Sequence, residues 1–495
     1  MDLVQSLWLV APEELLSLSG LALLLVAAWG GDKASRLISI LAVTALAGAG
    51  ALVAPALCAN DFGGAMGAGT DAFFGQYRAD SFSAFAKLLI YAAAGATLIV
   101  APAFFERARA MRGEFPLLVL FAALGAGLMV SATDFMTLYI GLELNSLASY
   151  VLAAFLRSDE RSAEAGLKYF VLGALASGIL LFGMSLIYGF TGTTNFAGVR
   201  AALDVGAQGT PATGAVFGLV FVLSGLAFKI AAAPFHMWTP DVYEGAPTPV
   251  TMFFATAPKV AAMALTMRVA LDAFGTQVPA WQPIVIFAAL LSIVIGALGA
   301  IGQANIKRLM AYSSINNVGF ILIGLAAATP AGASGMLVYL AIYVATTIAG
   351  FVAILLLRDA EGAPVEAIAD LAGLSRTRPL IALALASVMF SLAGIPPLFG
   401  FWAKFLVFRA AVDAGLIVLA SIGIAASVIG AFYYIKIVKV MYFDEPAGKV
   451  TGKGDTAHGV LLVLATLAIS PLGYLLTPVL GKLADGAAAA LFFAA

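Results

Sequence analysis

Residues 224–240 read SGLAFKIAAAPFHMWTP. A lysine stands inside an apolar run, with a proline five residues on and a histidine two beyond that. A soluble core would reject the charge of Lys229, a plain membrane span has no use for it, and Pro234 breaks a helix in either setting. The stretch reads as a membrane helix interrupted where polar groups are needed.

The surrounding composition agrees. Of 495 residues, 62% are hydrophobic and only 11% charged, against about a quarter charged in soluble domains. Most of the chain must therefore face lipid or other apolar helices. Its apolar runs are about 18 to 30 residues long, and the short alternating strands of a barrel are absent, so the spans are helices. The single cysteine, Cys58, excludes a disulfide framework and thiolate iron–sulfur sites. His236 and His458 are the only histidines, too few and too far apart for a haem pair or a zinc cage. Gly67-Ala-Gly69 is embedded in no strand–helix unit and is a poor dinucleotide fingerprint. A formal net charge of −1 offers no basic surface to nucleic acid. No cofactor or metal is expected in this chain, so any redox chemistry belongs to others.

The hydropathy pattern predicts an all-α polytopic membrane protein with about fourteen transmembrane helices. Alternate loops differ sharply in basic residues. One set holds fourteen lysines and arginines, including Arg107, Arg109, Arg112, Arg157, Arg161, Lys307, Arg308, Arg358 and Lys453; the other holds only Arg78, Arg200, Arg409 and Lys482. This asymmetry places the first set in the cytoplasm and both termini on the outer side.

Two spans contain breaks. The seventh (213–238) holds Pro234, and the twelfth (379–411) holds Gly394-Ile395-Pro396-Pro397. A proline removes one backbone bond and frees the carbonyl four residues earlier, here Ile230, Leu392 and Ala393. Free carbonyls at membrane depth survive only against protein or a wet cavity. The breaks lie five spans apart, and a duplicated unit with an odd number of spans must insert upside down. Helices 4–8 and 9–13 are thus expected to be inverted five-helix repeats with helices 7 and 12 broken. The expected segments are 1–112 (helices 1–3), 113–273 (first repeat), 280–443 (second repeat) and 444–495 (loop, last helix and tail).

Four charges fall deep in spans. Glu143 and Lys259 lie about 14 and 17 Å into theirs at 1.5 Å per residue, Lys229 adjoins the first break, and Lys404 follows the second. Unpaired, four such charges would cost on the order of 10–14 kcal/mol on insertion scales. They are expected to neutralise one another, share water or carry protons. Lys168 is balanced between snorkelling and function, and His236 between function and a bond to a loop carbonyl. Lys87, Lys436 and Lys439 read as snorkelling lysines, and Arg268 and Asp272 as a local i,i+4 pair. Ser313, Ser314, Asn316 and Asn317 in the tenth span read as water-lining groups or as packing glue.

The stretch FKIAAAPFHMWTPDVYEGAPTPVTMFFATAPKVAA resembles the central signature of the antiporter-like membrane subunits of respiratory complex I. KRLMAYSSINNVGFILIG and GIPPLFGFWAKF resemble the later signatures of that family, and the likeness covers essentially the whole chain. Of the related bacterial subunits, subunit L is expected to carry a long lateral helix, and subunit M a glutamate where Lys404 stands. The resemblance implies a proton relay of Glu143, Lys229, Lys259 and Lys404, with Lys168 and His236 in lesser roles. It implies partners among other membrane-arm subunits, such as M, K and J, in a bacterial inner membrane. NADH, FMN, iron–sulfur clusters and quinone are then expected in partner subunits. Many relatives have a histidine where this chain has Asn317, so water ordered by the span 10 polar groups would replace a histidine relay. Close contact between Glu143 and Lys229, near 4 Å, is expected to act as the switch. The alternatives are a subunit of a multi-subunit cation/proton antiporter and a non-transporting scaffold.

Overall fold

The computed structural model describes residues 3–57, 69–205, 213–452 and 454–492. Cys58, Gly67, Ala68 and Lys453 lie outside them. The N-terminal bundle comprises α1 (Leu3–Leu9), α2 (Ala11–Gly30), α3 (Ser35–Leu57) and α4 (Ser81–Arg107). Helix α2 turns back on α3 through Gly31, whose φ of +57° suits a residue without a Cβ. A hairpin, β1 (Thr70–Ala72) and β2 (Tyr77–Ala79), precedes α4. Asp80 and Ser83 then form a capping box: the Ser83 N–H donates to Asp80 Oδ1 at 2.7 Å, and the Asp80 N–H to Ser83 Oγ at 3.2 Å.

Next come α5 (Glu114–Ser131), α6 (Phe135–Ala153), α7 (Glu160–Thr191), α8 (Phe196–Val205), α9 (Thr213–Ile230), α10 (Trp238–Gly245), α11 (Thr248–Ala255) and α12 (Ala257–Arg268). They are followed by α13 (Val278–Ile301), α14 (Ile306–Ala326), α15 (Pro330–Leu355), α16 (Leu374–Thr377), α17 (Pro379–Ala393), α18 (Phe399–Asp413) and α19 (Ile417–Phe443). Helices α20 (Thr456–Ile469) and α21 (Thr477–Ala489) are bent 65° from each other. Among the described residues, ten helical stretches are long and apolar enough to cross a membrane, with α2 and α3 taken as one; the bent pair raises this to eleven.

Both expected breaks are present: α9 stops at Ile230, and α17 at Ala393. Their apolar halves are too short to count as spans alone. A third break was not expected. Thr256, with φ −122° and ψ −88°, separates α11 from α12, and Pro258 in the first turn of α12 has no N–H to restore the ladder.

Helices α6 and α14 start and pack alike. Asp134 caps α6 by accepting from the Met136 N–H at 2.8 Å, and Asn305 caps α14 by accepting from the Lys307 N–H at 2.8 Å. From 134 to 145 and from 305 to 316 the interval is the same. Asn145 Nδ2 donates to the Ala122 carbonyl at 2.8 Å, and Asn316 Nδ2 to the Ile293 carbonyl at 2.8 Å. Each asparagine backbone lies against a glycine, Gly125 or Gly296, where an added Cβ would meet the asparagine N at 2.5 Å.

Two expectations are corrected. Lys87 does not snorkel: it is 3% exposed, 2.6 Å from Glu13, and donates to the Tyr77 hydroxyl at 2.7 Å. Helix α4 is packed among α3, α5, α11, α12 and α15. Arg268 and Asp272 are not partners. They make no ion pair with each other among the described residues, and a π-turn over Val269–Ala273 follows Arg268. Arg268 pairs with both oxygens of Asp80 at 2.9 and 3.0 Å, while Asp272 takes Arg200 at 2.8 Å and Arg78 at 3.4 Å. Lys436 and Lys439 are exposed, as expected.

Candidate functional site: buried lysines beside the helix breaks

Lys229 occupies the last turn of α9, where the interrupted helix leaves room for an ammonium group. It donates to Ser146 Oγ at 2.7 Å and to the Tyr150 hydroxyl at 3.3 Å, both on α6. The expected close pair with Glu143 is not formed. Glu143 makes no ion pair among the described residues, and its Oε1 is buried without a hydrogen-bond partner. Glu143, Ser146 and Tyr150 share one face of α6 at i, i+3 and i+7. The lysine engages the hydroxyls further along that face and leaves the carboxylate open.

The break beside Lys229 is held from two sides. The Trp238 indole donates to the Phe228 carbonyl at 2.9 Å, and the Ala233 N–H donates to Ser292 Oγ on α13 at 2.8 Å. Ala231 takes the left-handed region at φ +62°, where a Cβ is tolerated only under outside constraint. The acceptor captured here is Phe228, not Ile230 as proline geometry alone suggests. His236 is half-buried in the same turn, and its Nδ1 makes no hydrogen bond of good geometry among the described residues.

Lys259 is 2% exposed, in the first turn of α12 after the Thr256 break. Its Nζ donates to Ser314 Oγ, and no carboxylate pairs with it among the described residues. Ser314 in turn meets the Tyr343 hydroxyl of α15 at 2.7 Å. Lys404, 6% exposed, donates to the Ala393 carbonyl at 3.0 Å and to Ser427 Oγ at 2.9 Å. Ala393 is one of the acceptors expected from the second break.

Helix α14 supplies polar groups between these two lysines. Ser313 Oγ lies 2.5 Å from the Tyr434 hydroxyl, and Asn317 Nδ2 donates to that hydroxyl at 3.3 Å. The Tyr339 hydroxyl donates to Asn317 Oδ1 at 2.7 Å. Phe320, one turn further, lies 4.4 Å under Lys404 Nζ, measured to the ring centroid. Asn316 points away, to the Ile293 carbonyl, and ties α14 to α13. Sequence reading missed Ser146, Tyr150, Tyr339, Tyr343, Ser427 and Tyr434. The one available signal was spacing: Ser427 and Tyr434 lie two helical turns apart on α19 and face the same way.

Lys168 stands elsewhere. It pairs with Glu164 and Asp241, each at 2.7 Å, and Asp241 also binds Arg308 at 2.7 Å. Arg308 reaches Glu244 at 3.0 Å, and Lys307 reaches Glu366 at 3.3 Å. A charged cluster thus forms around α10, between the first break and the start of α14.

Residues 132–430 match the family model described as NADH:quinone oxidoreductase/Mrp antiporter, TM. The NADH-quinone oxidoreductase subunit N of Erythrobacter litoralis is 66% identical over 494 residues, covering 100% of both chains. This chain belongs to the subunit N family. The subunit N of Rhizorhabdus wittichii is 58% identical, over 99% of this chain and 100% of that one. A chain of respiratory complex I from Thermus thermophilus with bound aureothin superposes with a TM-score of 0.79 at 34% identity, covering 95% of this chain and 98% of the other. A chain of the Mrp complex from Dietzia matches with a TM-score of 0.81 at 24% identity, which shows a shared fold. The subunit N family supplies an antiporter-like membrane subunit of NADH-quinone oxidoreductase. The matched segment starts just before α6 and ends within α19, and it includes Lys229, Lys259 and Lys404.

Proposed function

We propose that this subunit moves protons from the cytoplasm to the outside along Lys229, Lys259 and Lys404, driven by quinone reduction in other subunits. The observation that carries the reading is Lys259: a buried ammonium with a hydroxyl beside it and, among the described residues, no carboxylate. A lysine locked to an acid keeps its proton, whereas one held by hydroxyls can hand it on. Ser314, Tyr343, Ser313, Tyr434, Asn317 and Tyr339 supply donors and acceptors, with intervening water, between Lys259 and Lys404.

Glu143 is the switch. In the present geometry it is open to a partner, and Lys229 rests on Ser146. Closing Glu143 onto Lys229 at 4 Å would contribute about 4 kcal/mol at an effective dielectric of 20. That exceeds the cost of moving one charge against 100 mV, about 2.3 kcal/mol. Protons enter through the charged cluster of Glu164, Lys168 and Asp241, with His236 at the break, and leave beyond Lys404. Lys168 serves this entry rather than the central line.

We assign fourteen spans on the same basis, counting α2 and α3 separately and each broken pair once. Segments 113–273 and 280–443 are the inverted repeats. The matched caps, asparagines and glycines of α6 and α14 support that assignment. Both termini face the outer side of a bacterial inner membrane. Membrane-arm subunits such as M, K and J are the neighbours, and NADH, FMN, iron–sulfur clusters and quinone lie in partner subunits.

The test is proton translocation by the assembled complex in proteoliposomes. Lys259→Met, which keeps the side-chain volume, and Glu143→Ala are each expected to lower the proton-to-electron ratio while the complex stays assembled. A normal ratio in both variants defeats the relay. Loss of assembly in both instead favours a scaffold role.

A further inference from the structure

A cavity of 340 Å³ lies where the end of α4, the start of α11 and the loop after α15 meet, and Arg107, Arg358 and Thr248 contribute to its lining. Glu361 also lines it, so the cavity carries one carboxylate beside two guanidiniums. Arg107 pairs with Asp455 at 2.7 Å, and that contact holds the Asp455 carboxyl below the usual carboxylate range. Arg358 has no such partner. Only 5% exposed, it spends its Nε on the Leu355 carbonyl at 2.7 Å, and its terminal nitrogens carry no hydrogen bond or ion pair among the described residues. Burial, and then the neighbouring Arg107, push its guanidinium down to about 10 while Asp455 acts the other way, so it remains charged at neutral pH. Guanidinium nitrogens that line a cavity without a hydrogen-bond partner among the described residues can take the oxygens of an anion there.

The third wall supplies more of the same chemistry. Thr248 is the first residue of α11, 3% exposed, and no side chain caps that helix. Thr248 brings the positive end of the α11 dipole to the cavity, although Pro249, next in the helix, has no N–H to offer. Phe104 and Leu355 give the cavity an apolar flank. Arginine forks together with a helix N-terminus match the oxygens of a phosphate group.

We propose that this cavity is a binding site for a phosphate group, supplied by an anionic phospholipid headgroup or by free phosphate. Binding would staple α4 and α15 to α11, the first half of the broken helix that leads to Lys259. The site is independent of the proton relay.

The experiment uses the purified whole complex carrying this subunit. Thermal stability is followed during titration with inorganic phosphate at constant ionic strength, and in nanodiscs of phosphatidylglycerol against phosphatidylcholine. The wild type is expected to shift its midpoint with at least one probe. Arg358→Gln is expected to raise the half-saturating concentration at least tenfold, or to abolish the difference between the two lipids. A response to phosphate in solution identifies the free anion; a response to phosphatidylglycerol alone identifies a headgroup. Arg107→Gln, at a side chain one-third exposed, replaces Arg358→Gln if that variant does not assemble. No wild-type shift with either probe, or equal shifts in wild type and variant, overturns the proposal.

Discussion

Lys87 and Lys259 are both lysines buried in apolar helices, and the groups beside them decide what each can do. Lys87 is clamped between Glu13 and Tyr77, and removing it strands a buried carboxylate. Lys87→Ala is therefore expected to destabilise the subunit by about 3–5 kcal/mol. The double variant Glu13→Gln/Lys87→Met should recover most of that loss, as measured by survival of the complex on heating in detergent. Equal instability of the single and double variants would show that the pair itself is not the cause. Lys259 has, among the described residues, Ser314 and the nearby Tyr243 ring, whose centroid is 5.8 Å away. Its conversion to Met should leave stability nearly intact. In the sequence both lysines are single charges in apolar runs; Glu13 is 74 positions from Lys87 (87 − 13), and nothing local links them.

At the scale of elements, the breaks depend on tethers as much as on prolines. Pro234 announces the interruption of the seventh span, but the Ser292 hydroxyl holds its backbone by accepting from the Ala233 N–H. Ser292→Ala would leave that buried donor unsatisfied, at a cost of about 1–3 kcal/mol. Thermal stability of the complex is expected to fall accordingly, and an unchanged midpoint would mean that water replaces the hydroxyl. Helix α14 is held just as closely to α13. Gly296→Ala would drive a Cβ into the Asn316 backbone at 2.5 Å, so the level of assembled complex should drop. Gly275, where an added Cβ would meet nothing within 4 Å, should accept alanine and serves as the control. The Thr256 break shows where local sequence signals stop short. Pro258 was visible, but a proline near a helix start is ordinary, and only the φ and ψ of Thr256 reveal that two helices meet there.

At the scale of the whole molecule, α14 joins the two halves. It takes Lys259 of the first through Ser314, and reaches Tyr434 and Lys404 of the second through Ser313 and Phe320. Tyr434→Phe removes one hydroxyl from this line while keeping the buried ring. Electron transfer to quinone is expected to continue with fewer protons moved per electron pair, measured in the same vesicles. An unchanged ratio would place the lateral path elsewhere. The likeness between α6 and α14 also becomes visible only here: Asp134 with Asn145 and Asn305 with Asn316 stand in the same geometry.

The sequence by itself determined the membrane class, the helical character, the two proline breaks and which charges stand inside apolar stretches. Each of these follows from hydropathy, from the missing N–H of proline, or from the cost of a charge in hydrocarbon, and all are properties of a local stretch. Tertiary structure alone decided the partners. It set Lys229 on Ser146 rather than Glu143, Lys87 on Glu13, Arg268 on Asp80, and Lys168 on Asp241. A buried charge is answered by whichever group packing brings within about 3 Å, and packing joins residues whose distance along the chain carries no trace of it.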